Sequence, residues 1–170
     1  MGLYLIFKCK YTKYYEILYG LTSKNSMRLI NISNKFIFDA KILMSKVTAE
    51  HAGEPDKNGQ FRIVSRTEII GPNDVCTDSY LIIGASEDKS IVENEYKYIQ
   101  TRFARFLLML AVSSINLSPD KFQFIPLQDF TEKSDIDWNK SIYDIDKQLF
   151  IKYDLSRKEI SFIEKMIKIM

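Results

Sequence analysis

The chain has 170 residues, 46% of them apolar, which suits one domain with room for a sizeable core. The net charge of +2 is unevenly spread: residues 1–70 carry eleven Lys/Arg against six Asp/Glu, a net +5, so the remainder nets −3. Two cysteines, Cys9 and Cys76, exclude a disulfide framework and a four-cysteine zinc site, and point to free thiols in a reducing compartment.

No apolar run approaches the ~20 residues that span a bilayer. Leu3 to Phe7 is too short for the apolar core of a signal peptide. The expected location is cytoplasmic, without membrane attachment.

In chain order, residues 2–19 are rich in Tyr, Leu, Ile and Phe, punctuated by Lys8, Lys10 and Lys13, which predicts two strands or a hairpin. Met27 to Ile32 predicts another strand, broken by Asn31, Ser33 and Asn34. Lys41 to Val47 is a β-like run leading into a polar loop, Thr48 to Gln60, with Gly53, Pro55 and Gly59. Phe61, Ile63, Ile69 and Ile70 predict the next strand or strand pair, closed by the turn Gly71-Pro72-Asn73-Asp74. Val75 to Gly84 is a further strand. Residues 1–84 are thus expected to be mainly β.

A long amphipathic helix is expected over 87–116, with Ser86 as its N-cap. Val92, Tyr96, Ile99, Phe103, Phe106 and Leu110 share one face, while Lys97, Thr101 and Arg105, with Arg102 beside them, share another. Phe122, Phe124 and Ile125 predict a short strand over 121–126, which Pro126 confines to an edge or end. Two helices are expected within 141–169, the second opened by the capping box Ser156-Arg-Lys-Glu159. Strands first and helices after make an α+β fold, with a curved antiparallel sheet packed by the long helix.

There is no glycine-rich phosphate loop, no nucleophile elbow, and no Asn/Asp-Pro-Pro-aromatic tetrapeptide to hold a flipped base. A lone histidine, His51, cannot build a zinc site without neighbouring cysteines. No catalytic and no metal-ligating residue is assigned. One enzymatic alternative is a metal-dependent endonuclease of the PD-(D/E)xK type, with Pro55-Asp56 followed by Glu87-Asp-Lys89 or Glu95-Tyr-Lys97. That chemistry needs its acidic-x-Lys pair on a strand, whereas these pairs fall at the start of, or within, the expected helix.

A set of ordered segments carries a resemblance: Ser45–Lys57 (SKVTAEHAGEPDK), Val75–Gly84 (VCTDSYLIIG), Thr101–Phe106 (TRFARF), Ala111–Leu117 (AVSSINL), Phe124–Phe130 (FIPLQDF), Asp135–Trp138 (DIDW) and Glu159–Met166 (EISFIEKM). Together they resemble the C-terminal region of type II restriction-modification proteins, adenine-specific DNA methyltransferases often fused to or paired with an endonuclease. The resemblance covers about residues 40–170. It implies a DNA target-recognition region, non-catalytic by itself. The implied partners are double-stranded DNA and the methyltransferase or endonuclease region of the same system. The resemblance places S-adenosylmethionine and magnesium in the full enzyme only, with no cofactor in this chain. A third reading is a protein-interaction module exposing a former domain interface.

DNA recognition needs a few polar side chains at base edges and Lys/Arg at phosphates. The densest such surface spans Lys46, Glu50, His51, Lys57, Arg62 and Arg66, and Thr101, Arg102 and Arg105 form a second candidate surface. Gln128 and Asp129 fit a structural role better than a DNA contact.

Overall fold

A computed structural model describes residues 38–48, 54–74, 76, 79–112, 114 and 116–170. The strands expected within 2–19 and 27–32 lie outside the described residues. Three strands, β1 (Ala40–Ser45), β2 (Thr67–Ile70) and β3 (Tyr80–Ser86), form an open antiparallel sheet in the order β2-β1-β3. The helices α1 (Lys89–Gln100), α2 (Arg102–Ala111), α3 (Ile142–Lys152) and α4 (Arg157–Met166) follow, with a 3₁₀ helix, Pro119–Phe124, between α2 and α3. The class is therefore α+β, as the order of segments in the sequence implies. No helix among the described residues is long and apolar enough to cross a membrane.

β1 is the central strand, and Ala40, Ile42, Leu43 and Met44 are all buried. Ile42 pairs with Ile69 on one side and Gly84 on the other, and packs with Val92 of α1. The register slips between Ile42 and Leu43, which face Gly84 and Ile82, so Ile83 is the extra residue of a β-bulge. The bulge keeps Gly84 on the face covered by α1. There the Glu95 carboxyl lies over it: a Cβ on Gly84 would fall 2.1 Å from Glu95 Oε2. Glycine is required at that position because a buried carboxylate occupies the space a methyl group would need.

The long helix is in fact two. Thr101 adopts an extended backbone (φ −64°, ψ 151°) and serves both neighbours. Its hydroxyl donates to Tyr98 O of α1 at 2.6 Å and accepts from Ala104 N–H of α2 at 3.1 Å. The break resets the helical phase, so Ala104 and Leu108 become buried while Leu110 turns out to solvent. This corrects the single apolar stripe expected from Val92 to Leu110. The helix also starts later than expected: Asp88 is the N-cap, accepting from Ser90 N–H at 2.8 Å, and Ser86 closes β3.

The aromatic segment after α2 is not a strand. Pro119 fixes the first position of the 3₁₀ helix, and Phe122 and Ile125, three apart, fall on its buried side while Phe124 faces solvent. Tyr98 anchors the connector that follows, donating to Pro126 O at 2.7 Å and packing against Phe130 and Trp138. Gln128 is buried, donates to Tyr153 Oη at 2.8 Å and accepts from Lys152 Nζ at 2.9 Å, which gives it a structural role. The capping box at Ser156 and Glu159 is formed.

α3 reaches back to the break. Asp146 Oδ2 accepts from Arg102 N–H and Oδ1 from Phe103 N–H, both at 3.0 Å. A carboxylate two elements away thus satisfies the open amides at the start of α2 and complements the positive end of its dipole. Asp146→Ala strands two buried N–H groups and removes a negative charge that offsets Arg105 and Arg102. It is expected to cost about 3 kcal/mol in urea unfolding, against about 1 kcal/mol for removing the ordinary cap in Ser141→Ala.

Burial alone lifts the Glu95 carboxyl to about 7 from its ordinary 4.5. Because the folded-state value is raised, the contribution of Glu95 to stability is complete below about pH 4.5 and is lost as pH rises through about 7. Glu95→Gln mimics the protonated form. It is expected to match the parent near pH 4.5 and to exceed it by up to about 3 kcal/mol at pH 8, read as the difference between their urea-unfolding free energies. Asp146, also raised by burial, is common to both chains and cancels from that difference.

Candidate nucleic-acid interface

The segment from Glu54 to Arg66 is built on turns. Asp56 Oδ1 accepts from Asn58 N–H (2.9 Å) and Gln60 N–H (3.1 Å), and Gly59 takes the positive φ (74°) that the turn needs. These bonds, Gln60 first, and the Lys168 ammonium at 3.1 Å hold the Asp56 carboxyl below the usual carboxylate range. Lys57 stands exposed at the tip.

The chain then joins the C-terminal segment. Phe61 N–H donates to Met166 O (2.8 Å) and Lys168 N–H to Phe61 O (2.9 Å), an isolated parallel bridge between Phe61 and Ile167. The Gln60 side-chain amide adds contacts to the carbonyls of Glu164 and Lys165. Immediately after, Ile63 takes a positive φ of 67° while Val64 N–H donates back to Arg62 O at 2.9 Å. That is a γ-turn of the strained hand, centred on a β-branched residue that rarely adopts it. The turn replaces the strand expected at Phe61 and Ile63.

The Arg105 side chain holds this strain in place. It is 1% exposed. Nε donates to Gln100 O (3.1 Å) and Thr101 O (3.2 Å), Nη1 to Arg62 O (3.3 Å) and Nη2 to Lys168 O (2.8 Å). One guanidinium therefore caps the last carbonyls of α1, braces the γ-turn and secures the C-terminal segment. Arg102 is 9% exposed and sits 3.5 Å from Glu164. The surface expected from Arg102 and Arg105 is thus interior. The helix break turns their side of α2 inward, so these two arginines organise structure instead of facing a ligand.

The remaining candidates divide. Lys57, Arg62 and Arg66 are exposed, and Lys46 is half-buried. The backbone of Lys46 is pinned by Ser79 O (3.0 Å) and by Leu117 N–H, which donates to its carbonyl at 2.6 Å. Arg66 pairs with Glu68 at 3.0 Å and donates to Tyr80 Oη at 3.2 Å. Glu50 and His51 lie outside the described residues. Sequence reasoning missed Lys165 and Lys168, which the bridge brings beside the loop; the excess of cations in the closing helix was their only signal.

The acidic-x-Lys pairs of the endonuclease alternative stand on α1 or at its start, not on a strand. Lys89 opens α1 and pairs with Glu93 (3.2 Å), Glu95 lies over Gly84, and Lys97 donates to Trp138 O (2.7 Å). Asp56 is engaged by its own turn and by Lys168. No group of three or more His, Cys, Asp or Glu is placed to share a metal ion among the described residues. Cys76 is a free, half-buried thiol, pushed up by burial.

Arg105→Met removes the brace while keeping much of the volume. A loss on the order of 3 kcal/mol is expected in urea unfolding, because three elements lose their shared donor. Arg62→Ala, which removes an exposed side chain and its hydrogen bond to Ser65 O (3.2 Å), is expected to stay within about 1 kcal/mol of the parent in the same measurement.

Comparison of the chain with protein-family models, with curated proteins and with solved structures returns no match.

Proposed function

We propose that the chain is a DNA target-recognition domain of a restriction-modification enzyme, binding double-stranded DNA without catalysing a reaction itself. The observation that carries this reading is the strained turn at Ile63, braced by buried Arg105 beneath exposed Arg62. Unfavourable backbone persists where surrounding structure over-determines it, and such positions cluster at ligand-contacting sites. A rigid base below a polar loop is the arrangement recognition loops use. The ordered segments that resemble restriction-modification methyltransferases support the same reading, and S-adenosylmethionine and magnesium then belong to the partner methyltransferase and endonuclease regions.

In this reading Lys46, Lys57, Arg62 and Arg66 meet phosphates, while Glu50 and His51 meet base edges. Arg66 exchanges its pairing with Glu68 for a phosphate. Phosphate contacts carry affinity but no sequence information, so the isolated chain binds duplexes weakly and with little preference, with a Kd on the order of 10⁻⁴ to 10⁻⁶ M at physiological salt.

Titration of a labelled duplex across salt concentrations tests this. Arg66→Ala and Lys46→Ala are each expected to weaken binding to every sequence alike and to reduce the log-log salt slope by about 1. Substituting Glu50 or His51 is expected to shift site preference in the complete enzyme. Magnesium-dependent plasmid cleavage that disappears in Asp56→Ala would replace this reading with the endonuclease one.

A further inference from the structure

The helix and tail that close the chain carry a charge asymmetry the proposed interface does not use. From Ser156 to Met170 there are four cations, Arg157, Lys158, Lys165 and Lys168, and two carboxylates, Glu159 and Glu164. Both carboxylates are engaged within the molecule. Glu159 Oε2 accepts the Ser156 N–H at 2.8 Å in the capping box, and Glu164 faces the buried Arg102 at 3.5 Å. The four cations are all exposed. Lys158 and Lys165 are two helical turns apart on the outward side of α4, separated by roughly 10 Å along its axis.

The bridge to the loop orients the last of them. Ile167 is fully buried and Phe61 half-buried, so both turn inward. Side chains alternate along extended backbone, so Arg62 and Lys168, the next residues on each strand, emerge together on the outward side. Arg105 holds the carbonyls of these same two residues, Arg62 O at 3.3 Å and Lys168 O at 2.8 Å. Two cations more than a hundred residues apart in sequence are thereby set side by side by backbone bonds, independent of where their own side chains point. Asp56, the carboxylate that meets Lys168, already accepts two backbone amides through its other oxygen, so a phosphate can take the ammonium without leaving that carboxylate bare.

We propose that Lys165 and Lys168 form the second half of a phosphate-contacting surface whose first half is Lys57 and Arg62, and that its partner is the backbone of duplex DNA. This rests on the DNA-binding reading above and adds to it a wall from the opposite end of the chain.

The test is fluorescence anisotropy of the full chain with a labelled duplex of about two helical turns, titrated between about 50 and 200 mM salt. The Lys165→Ala/Lys168→Ala double variant is expected to bind all sequences more weakly and to lower the salt slope by about 1.8, two contacts at about 0.9 each. Lys165→Arg/Lys168→Arg, which keeps the charge, is expected to retain the parent slope. Lys140→Ala/Lys147→Ala, removing two exposed cations elsewhere, should leave it unchanged. The alanine pair leaves the backbone bridge intact, and an unchanged urea midpoint checks that the fold is retained. An unaltered slope in Lys165→Ala/Lys168→Ala, beside a flattened one in Lys57→Ala/Arg62→Ala, overturns the inference and spares the DNA-binding reading. Equal flattening by the Lys140/Lys147 pair also overturns it, since the effect would then be bulk charge. No salt-dependent binding by the parent chain brings down the DNA-binding reading, and this inference with it.

Discussion

The structure depends on how one helix break is charged on both sides. At Thr101 the chain leaves α1 and enters α2, exposing carbonyls at one helix end and amides at the other. Arg105 meets the carbonyls and Asp146 meets the amides. Each ion sits at the helix terminus whose partial charge it opposes, so the two dipoles solvate what water cannot reach. The cost of burying two ions is offset only while both are present and fully bonded. From this junction α3 is oriented through Asp146, and the loop and C-terminal segment through the far side of the guanidinium.

Much of the architecture was legible. Apolar runs marked β1 and β3, and Ser156 with Glu159 announced α4 through capping chemistry that is local and therefore readable. The break at Thr101 was not, because threonine is tolerated inside helices and the carboxylate that makes the break favourable lies 45 residues downstream at Asp146. The aromatic segment 121–126 misled for a different reason. Phe122 and Phe124 mimic strand alternation, while the pair that matters, Phe122 and Ile125, has the three-residue spacing of a 3₁₀ helix.

The candidate site shows the same division. Exposure of Lys57 and Arg66 follows from their polar neighbours in sequence, and Arg62 is exposed between inward-facing Phe61 and Ile63. The interior fate of Arg102 and Arg105 does not, since a cation flanked by aromatics reads equally as a surface stripe or as a buried brace. Only the tertiary position of Asp146 and of two distant carbonyls decides between them. Arginine suits that task better than lysine, because a planar fork of five donors can reach several acceptors at once. Here its donors meet four backbone oxygens on four different residues.

The bridge between Phe61 and Ile167 also bears on how the protein is made. Residues 54–66 emerge from the ribosome early, yet the backbone partners of Gln60 and Phe61 lie in residues 164–168. At about 5–20 residues per second, those partners follow seconds later. Until then the loop lacks its bridge to the C-terminal segment, and the γ-turn at Ile63 is held from outside only by Arg105, through Arg62 O. The sheet and α1 can form from contiguous sequence in that interval. The loop is therefore completed late in folding, and its geometry reports that the distant end of α4 has docked.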